Sequence, residues 1–223
     1  MNVEDFQIPI PEGDMLETIF NHQRDLIDKY HLIETELVGH YVPSALVEVD
    51  GQIKWHHAGA LNIQDRYCQL RFKDFAWRIT EELTEATLAL GEENETHYLE
   101  ELIDALHFSV ELLIMCGMFP VGQSEGDRFE AAFSNSIYGK ENSERWHVYR
   151  TIEKLGEAMN RLKLKPWKVT AMLTDEKAFM QSLAEFFAAL IDLLKASGFT
   201  AKSATQMYLN KNAVNQFRIG SKY

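Results

Sequence analysis

Through most of this chain apolar residues return every three or four positions, the spacing that lays a stripe along one face of an α-helix. From Asp14 to Tyr30 the stripe is Leu16, Ile19, Phe20, Leu26, Ile27 and Tyr30. Asp14 is placed as the cap, and Glu17 three residues on completes the box. Similar stripes predict helices over about 67–90, stopped by Gly91, and about 95–116, ended by Gly117 and Pro120. Three more are expected over about 142–164, capped by Asn142 or Ser143, about 175–196 before Gly198, and 201 to about 217. One stretch changes period: in ALVEVDGQIKWH (45–56), Asp50-Gly51 stands between two β-favouring runs and signals a hairpin with a type I′ turn. Two strands alone are marginal, so the hairpin is expected to lean on helices. Residues 120–140 are weakly patterned and read as a long connection with some helix. The expected fold class is all-α, a helical bundle with one small β-hairpin.

The 223 residues, 46% hydrophobic and 25% charged, have ordinary globular composition and can bury a core without staples. A single domain over 1–223 is expected, with the hairpin inserted near 45–57 and a variable segment over 121–175. An excess of 34 acidic over 22 basic residues leaves a net charge of −12. No Lys/Arg cluster is dense enough to grip a nucleic-acid polymer, which requires a basic face. A polyanionic ligand fits such a chain only where a divalent cation inverts the local sign. Cys68 and Cys116 form no C-x-x-C pair and no disulfide framework, which suits a reducing compartment. The start of the chain lacks the basic and apolar regions of a signal peptide. The longest apolar run, 112–119, falls well short of the ~20 residues of a membrane span. A soluble, cytoplasmic protein with no membrane partner is expected.

Chemistry concentrates in two adjacent segments, ITEELTEATLAL (79–90) and YLEELIDALHF (98–108). Glu82 and Glu85 are three apart, as are Glu101 and Asp104, so each helix projects two carboxylates in one direction. A short connection predicts that the two helices fold back antiparallel and bring the four acids together. Acidic pairs at this spacing are also common on solvated faces, and spacing alone leaves both readings open. Glu82, however, interrupts an apolar stripe between Ile79 and Ala86, and Asp104 sits among Leu, Ile and Phe. A carboxylate drawn into an apolar groove must be paired, protonated or metal-bound, and Mg²⁺ is the hard, oxygen-seeking ion that suits such a set. Glu81 and Glu100 are expected to be the solvated neighbours. In the C-terminal YLNKNAVNQFRIGSKY, Lys211, Asn212, Asn215 and Arg218 recur at helical steps, with Tyr223 just beyond. That strip suits phosphate binding, although taken alone an ordinary basic helix end is the better reading. Gln23 interrupts the first apolar stripe, and His107 follows Asp104 by three; each can be a satisfied core residue or a base-contacting one.

Together these pieces resemble the dimeric, all-α dUTP pyrophosphatases, and above all the T-even-phage type that acts on dCTP and dUTP. The resemblance rests on E-x-x-E, then E-x-x-D within LIDALHF, then the terminal K-N-x-x-N-x-F-R. LETIFNHQRDL (16–26) and FSVELLIMCGM (108–118) add to it, although the tryptophan-rich stretch usual after E-x-x-E is missing. The resemblance implies Mg²⁺ ligation by Glu82, Glu85, Glu101 and Asp104, with Glu82 also orienting or deprotonating the attacking water. It implies phosphate contacts from Lys211, Asn212, Asn215, Arg218 and Tyr223, and a nucleoside pocket that includes Gln23 and His107. It also implies a homodimer acting on a deoxynucleoside triphosphate. The acidic helix pair occurs in MazG-like pyrophosphohydrolases of other nucleoside triphosphates too, and a non-catalytic α-helical interaction protein is the reading from another class.

Overall fold

The computed structural model describes residues 8–38, 45–49, 52–56, 60–120, 126–136, 142–163 and 172–221. Their order is α1 (Met15–Val38), β1 (Ala45–Val49), β2 (Gln52–His56), α2 (Arg66–Gly91), α3 (Glu95–Met115), α4 (Arg128–Asn135), α5 (Glu144–Arg161), α6 (Glu176–Ala196) and α7 (Ala201–Ser221). The fold is all-α with one hairpin, as the periodicity requires. β1 and β2 pair antiparallel from Ala45 opposite His56 to Val49 opposite Gln52. The Asp50-Gly51 turn lies outside the described residues.

α3 is the axis of the molecule. It packs against α2, α1, α7 and α6, because its sequence is apolar nearly all round. From Glu101 to Cys116 every residue is buried except Asp104 and Phe108, one turn apart on a single face. α2 folds back along α3, α5 pairs with α6, and α1 pairs with α7. Their apolar stripes merge into one core that includes Phe72, Leu83, Leu106, Phe129, Leu155 and Phe186.

The helix boundaries are set by local chemistry. Asp65, Asn94, Asp127, Ser143 and Asp175 cap α2 to α6 with side-chain acceptors for otherwise unpaired backbone N–H groups. Gly91, expected as a stop, is the last residue of α2; the chain turns two residues later, at Glu93 with φ 56°. Gly117 does end α3 in the left-handed region, at φ 76°, and a Cβ there would lie 2.9 Å from the Ala60 Cβ. α5 starts at Glu144 behind the Ser143 cap and stops at Arg161, short of the expected 164. α7 runs to Ser221, beyond the expected 217, and the weakly patterned 120–140 holds the short α4.

Candidate active site

Four helices line one cavity of about 310 Å³, and each contributes side chains spaced three or four residues apart over two turns. α1 supplies Gln23, Leu26 and Tyr30; α2 supplies Phe75, Arg78 and Glu82; α3 supplies Asp104, His107, Phe108 and Glu111. α7 supplies Lys211, Asn215 and Arg218. The Arg78 guanidinium lies over the Phe75 ring, 4.9 Å from its centroid, and faces Phe108 at 5.8 Å, a stacked cation at the wall of the cavity.

Acidic groups collect where α2 and α3 face each other. Glu82, Glu85 and Glu101 each offer a carboxylate oxygen within 4.8 Å of the others. Burial, a hydrogen bond shared with Glu101, and the charges of Asp104, Glu101 and Glu85 push the Glu82 carboxyl up to about 8. The fourth expected acid, Asp104, is ion-paired to Lys211 (Nζ–Oδ2 2.7 Å). Burial still raises its pKa against the pull of Lys211, with Glu101 and Glu100 adding to the rise. His97 Nδ1 stands 3.0 Å from Glu101 Oε1. Glu81 is exposed and accepts from the Trp77 indole N–H, as a solvated neighbour should, whereas Glu100 is half-buried.

Beside the acids lies a buried polar network. Gln23 Nε2 donates to Glu111 Oε2 at 3.0 Å, and Gln23 Oε1 accepts from the Tyr208 hydroxyl and meets His107 Nδ1 at 3.0 Å. The His107 and Tyr208 rings stack at 3.8 Å between centroids. Burial, and secondarily Lys211, lowers the His107 pKa to about 3, so the ring is neutral.

The fold thus gathers Gln23, Glu82, Asp104, His107, Lys211, Asn215 and Arg218 around one cavity, with Glu85 and Glu101 in the acidic trio beside Glu82. Asn212 is the exception. It is buried, donates to the His22 carbonyl and accepts from Gln216, and so ties α7 to α1 instead of lining the cavity. The reason is angular: Asn212 lies one residue, about 100° of helix, from Lys211. Tyr223 lies outside the described residues. Arg78, Tyr30 and Glu111 line the cavity without having been singled out in the sequence. Arg78 precedes Glu82 by one turn and Glu111 follows Asp104 by two, so helical spacing could have found both.

The dUTPase family model matches residues 89–223, well over half of the chain. The chain belongs to the dUTPase family. Its membership implies a nucleotide pyrophosphatase with a nucleotide substrate. The matched residues include α3 and α7, while Gln23 and the Glu82–Glu85 pair precede them and join the site through tertiary packing. No curated protein and no solved structure matches the chain. Among the described residues no helix is long and apolar enough to cross a membrane.

Proposed function

We propose that this member of the dUTPase family hydrolyses a pyrimidine deoxynucleoside triphosphate, dUTP or dCTP, to the monophosphate and pyrophosphate with Mg²⁺ at the acidic cluster. The observation that carries the reading is a single cavity in which carboxylates, cations and a buried side-chain amide meet between aromatic walls. The donor set fits the metal: it offers carboxylate oxygens alone, and burial, with the neighbouring acids adding to it, raises Glu82 and Asp104 where a cation would relieve them. Glu82, Glu85, Glu101 and Asp104 would hold the ion, which when bound supplies charge neutralisation for the triphosphate and a lowered pKa for a coordinated water.

The chain's own residues do the rest. Glu82, made more basic by its surroundings, accepts the proton of the attacking water. Lys211, Arg218 and Asn215 bind and orient the phosphates, and Lys211 also holds Asp104 in place. Tyr223, outside the described residues, enters the proposal as a phosphate contact only through the family resemblance. Gln23 and His107 form the base end of the pocket, and the Phe75 and Phe108 rings keep water from its walls. A homodimer is part of the proposal, and sedimentation of the purified protein tests it.

A substrate panel over the four common deoxynucleoside triphosphates, dUTP and their diphosphates, with and without Mg²⁺, tests the activity. Metal-dependent release of pyrophosphate from dUTP or dCTP is expected. A preference for purines would favour the MazG-like alternative, and no turnover of any nucleotide would leave a non-catalytic interaction protein.

A further inference from the structure

The hydrogen-bond network behind the cavity has a direction, and Glu111 sets it. A carboxylate can only accept, so the end of the Gln23 side chain that meets Glu111 Oε2 is its –NH₂ group. The carbonyl end must then face Tyr208 and His107, and an amide oxygen cannot donate. Nδ1 of His107 therefore carries the proton. The ring is buried and neutral, so it has only that one proton. Nε2 is left as a bare lone pair, buried and without a hydrogen-bond partner, on a ring that lines the cavity. Buried polar atoms are almost always paired, and an unpaired one at a ligand cavity marks a bond left for the ligand to make.

We propose that Glu111 is a positioning residue for base recognition: through Gln23 it holds His107 in the Nδ1–H form, so that Nε2 accepts a hydrogen bond from an N–H on the base edge of the nucleotide. The inference rests on the nucleotide reading above and deepens it. The chemistry recognised is an N–H donor, which uracil offers at N3 and cytosine at its exocyclic amino group. Gln23 has no freedom to turn over and serve either base, because its oxygen would then oppose the Glu111 carboxylate.

Nitrogen-15 NMR of the histidine-labelled full chain reads the tautomer directly, and α,β-imido-dUTP and α,β-imido-dCTP with Mg²⁺ probe the ligand contact. At neutral pH His107 should show a protonated Nδ1 and a bare Nε2, and the analogue whose base is read should move the Nε2 resonance upfield. Glu111→Gln, whose amide can present either end to Gln23, should mix the tautomers and change the ratio of kcat/KM for dCTP and dUTP by about tenfold, the worth of one hydrogen bond. A parallel fall for both substrates would reduce Glu111 to a structural role and overturn the inference. So would a proton on Nε2. An analogue that raises the melting midpoint yet leaves Nε2 unmoved overturns this inference alone. Failure of both analogues to raise the midpoint overturns the functional reading along with it.

Discussion

Burial and three carboxylate neighbours make Glu82 hard to ionise, with its carboxyl pushed up to about 8. In the metal-free protein that strain is a cost, because a desolvated charge among like charges gains little in return. Glu82→Gln removes the cost and the base together. Its turnover should fall about 10²–10⁴-fold while the metal-free melting midpoint holds or rises. Near-wild-type turnover would remove Glu82 from the mechanism. Asn212 invites the opposite experiment. Asn212→Ala leaves the His22 carbonyl and the Gln216 amide without their partner, which should cost about 1–2 kcal/mol of stability in denaturant titrations. Because Asn212 faces α1, KM for the nucleotide should change less in this variant than in Arg218→Ala. A larger KM effect at Asn212 would put it back among the phosphate contacts.

α1 and α4 start side by side and exchange their caps. Asp14 accepts from the Glu17 and Arg128 backbone N–H groups, while Asp127 accepts from those of Met15, Phe129 and Glu130. The Arg128 guanidinium closes the pair, with Nε 2.7 Å from Asp14 Oδ2. This exchange anchors the N-terminal end of the helix that carries Gln23. Burial pushes the Asp14 carboxyl up, but the backbone hydrogen bonds and the guanidinium outweigh it and hold the folded pKa below its ordinary 3.8. A carboxyl lowered by folding stabilises the protein above its unfolded pKa, and that stability is lost as pH falls through the folded value. Chemical denaturation between roughly pH 5 and 2 should therefore show a steeper loss for the wild type than for Asp14→Asn, which keeps a capping oxygen without the titrating charge. Equal slopes would show that the cap exchange does not depend on ionised Asp14.

At the scale of the whole molecule, a ligand that binds only the folded state must raise its stability. At a hundredfold over its dissociation constant, Mg²⁺ should add about 2.7 kcal/mol, or roughly 5–10 °C of melting midpoint for a chain of this size. A chelator should reverse the shift, and Glu82→Gln should shrink it; an unchanged midpoint would argue against a cation in the acidic trio. Much of this molecule was legible residue by residue. The long helices follow from three-and-four spacing; Glu82 and Asp104 stand out because carboxylates interrupt apolar stripes, and Glu85 and Glu101 because each stands three residues from one of them. The short α4 was less legible, since eight residues with two buried phenylalanines make too little pattern. Asn212 read as part of the cationic strip because spacing alone blurs neighbours 100° apart. Periodicity is a property of local backbone geometry, so the chain by itself determined which residues share a helix face. Which faces meet depends on burial summed over the whole core. Only the tertiary structure could therefore decide that Gln23 meets His107, 84 positions away, and Tyr208, 185 away, and that Lys211 pairs with Asp104.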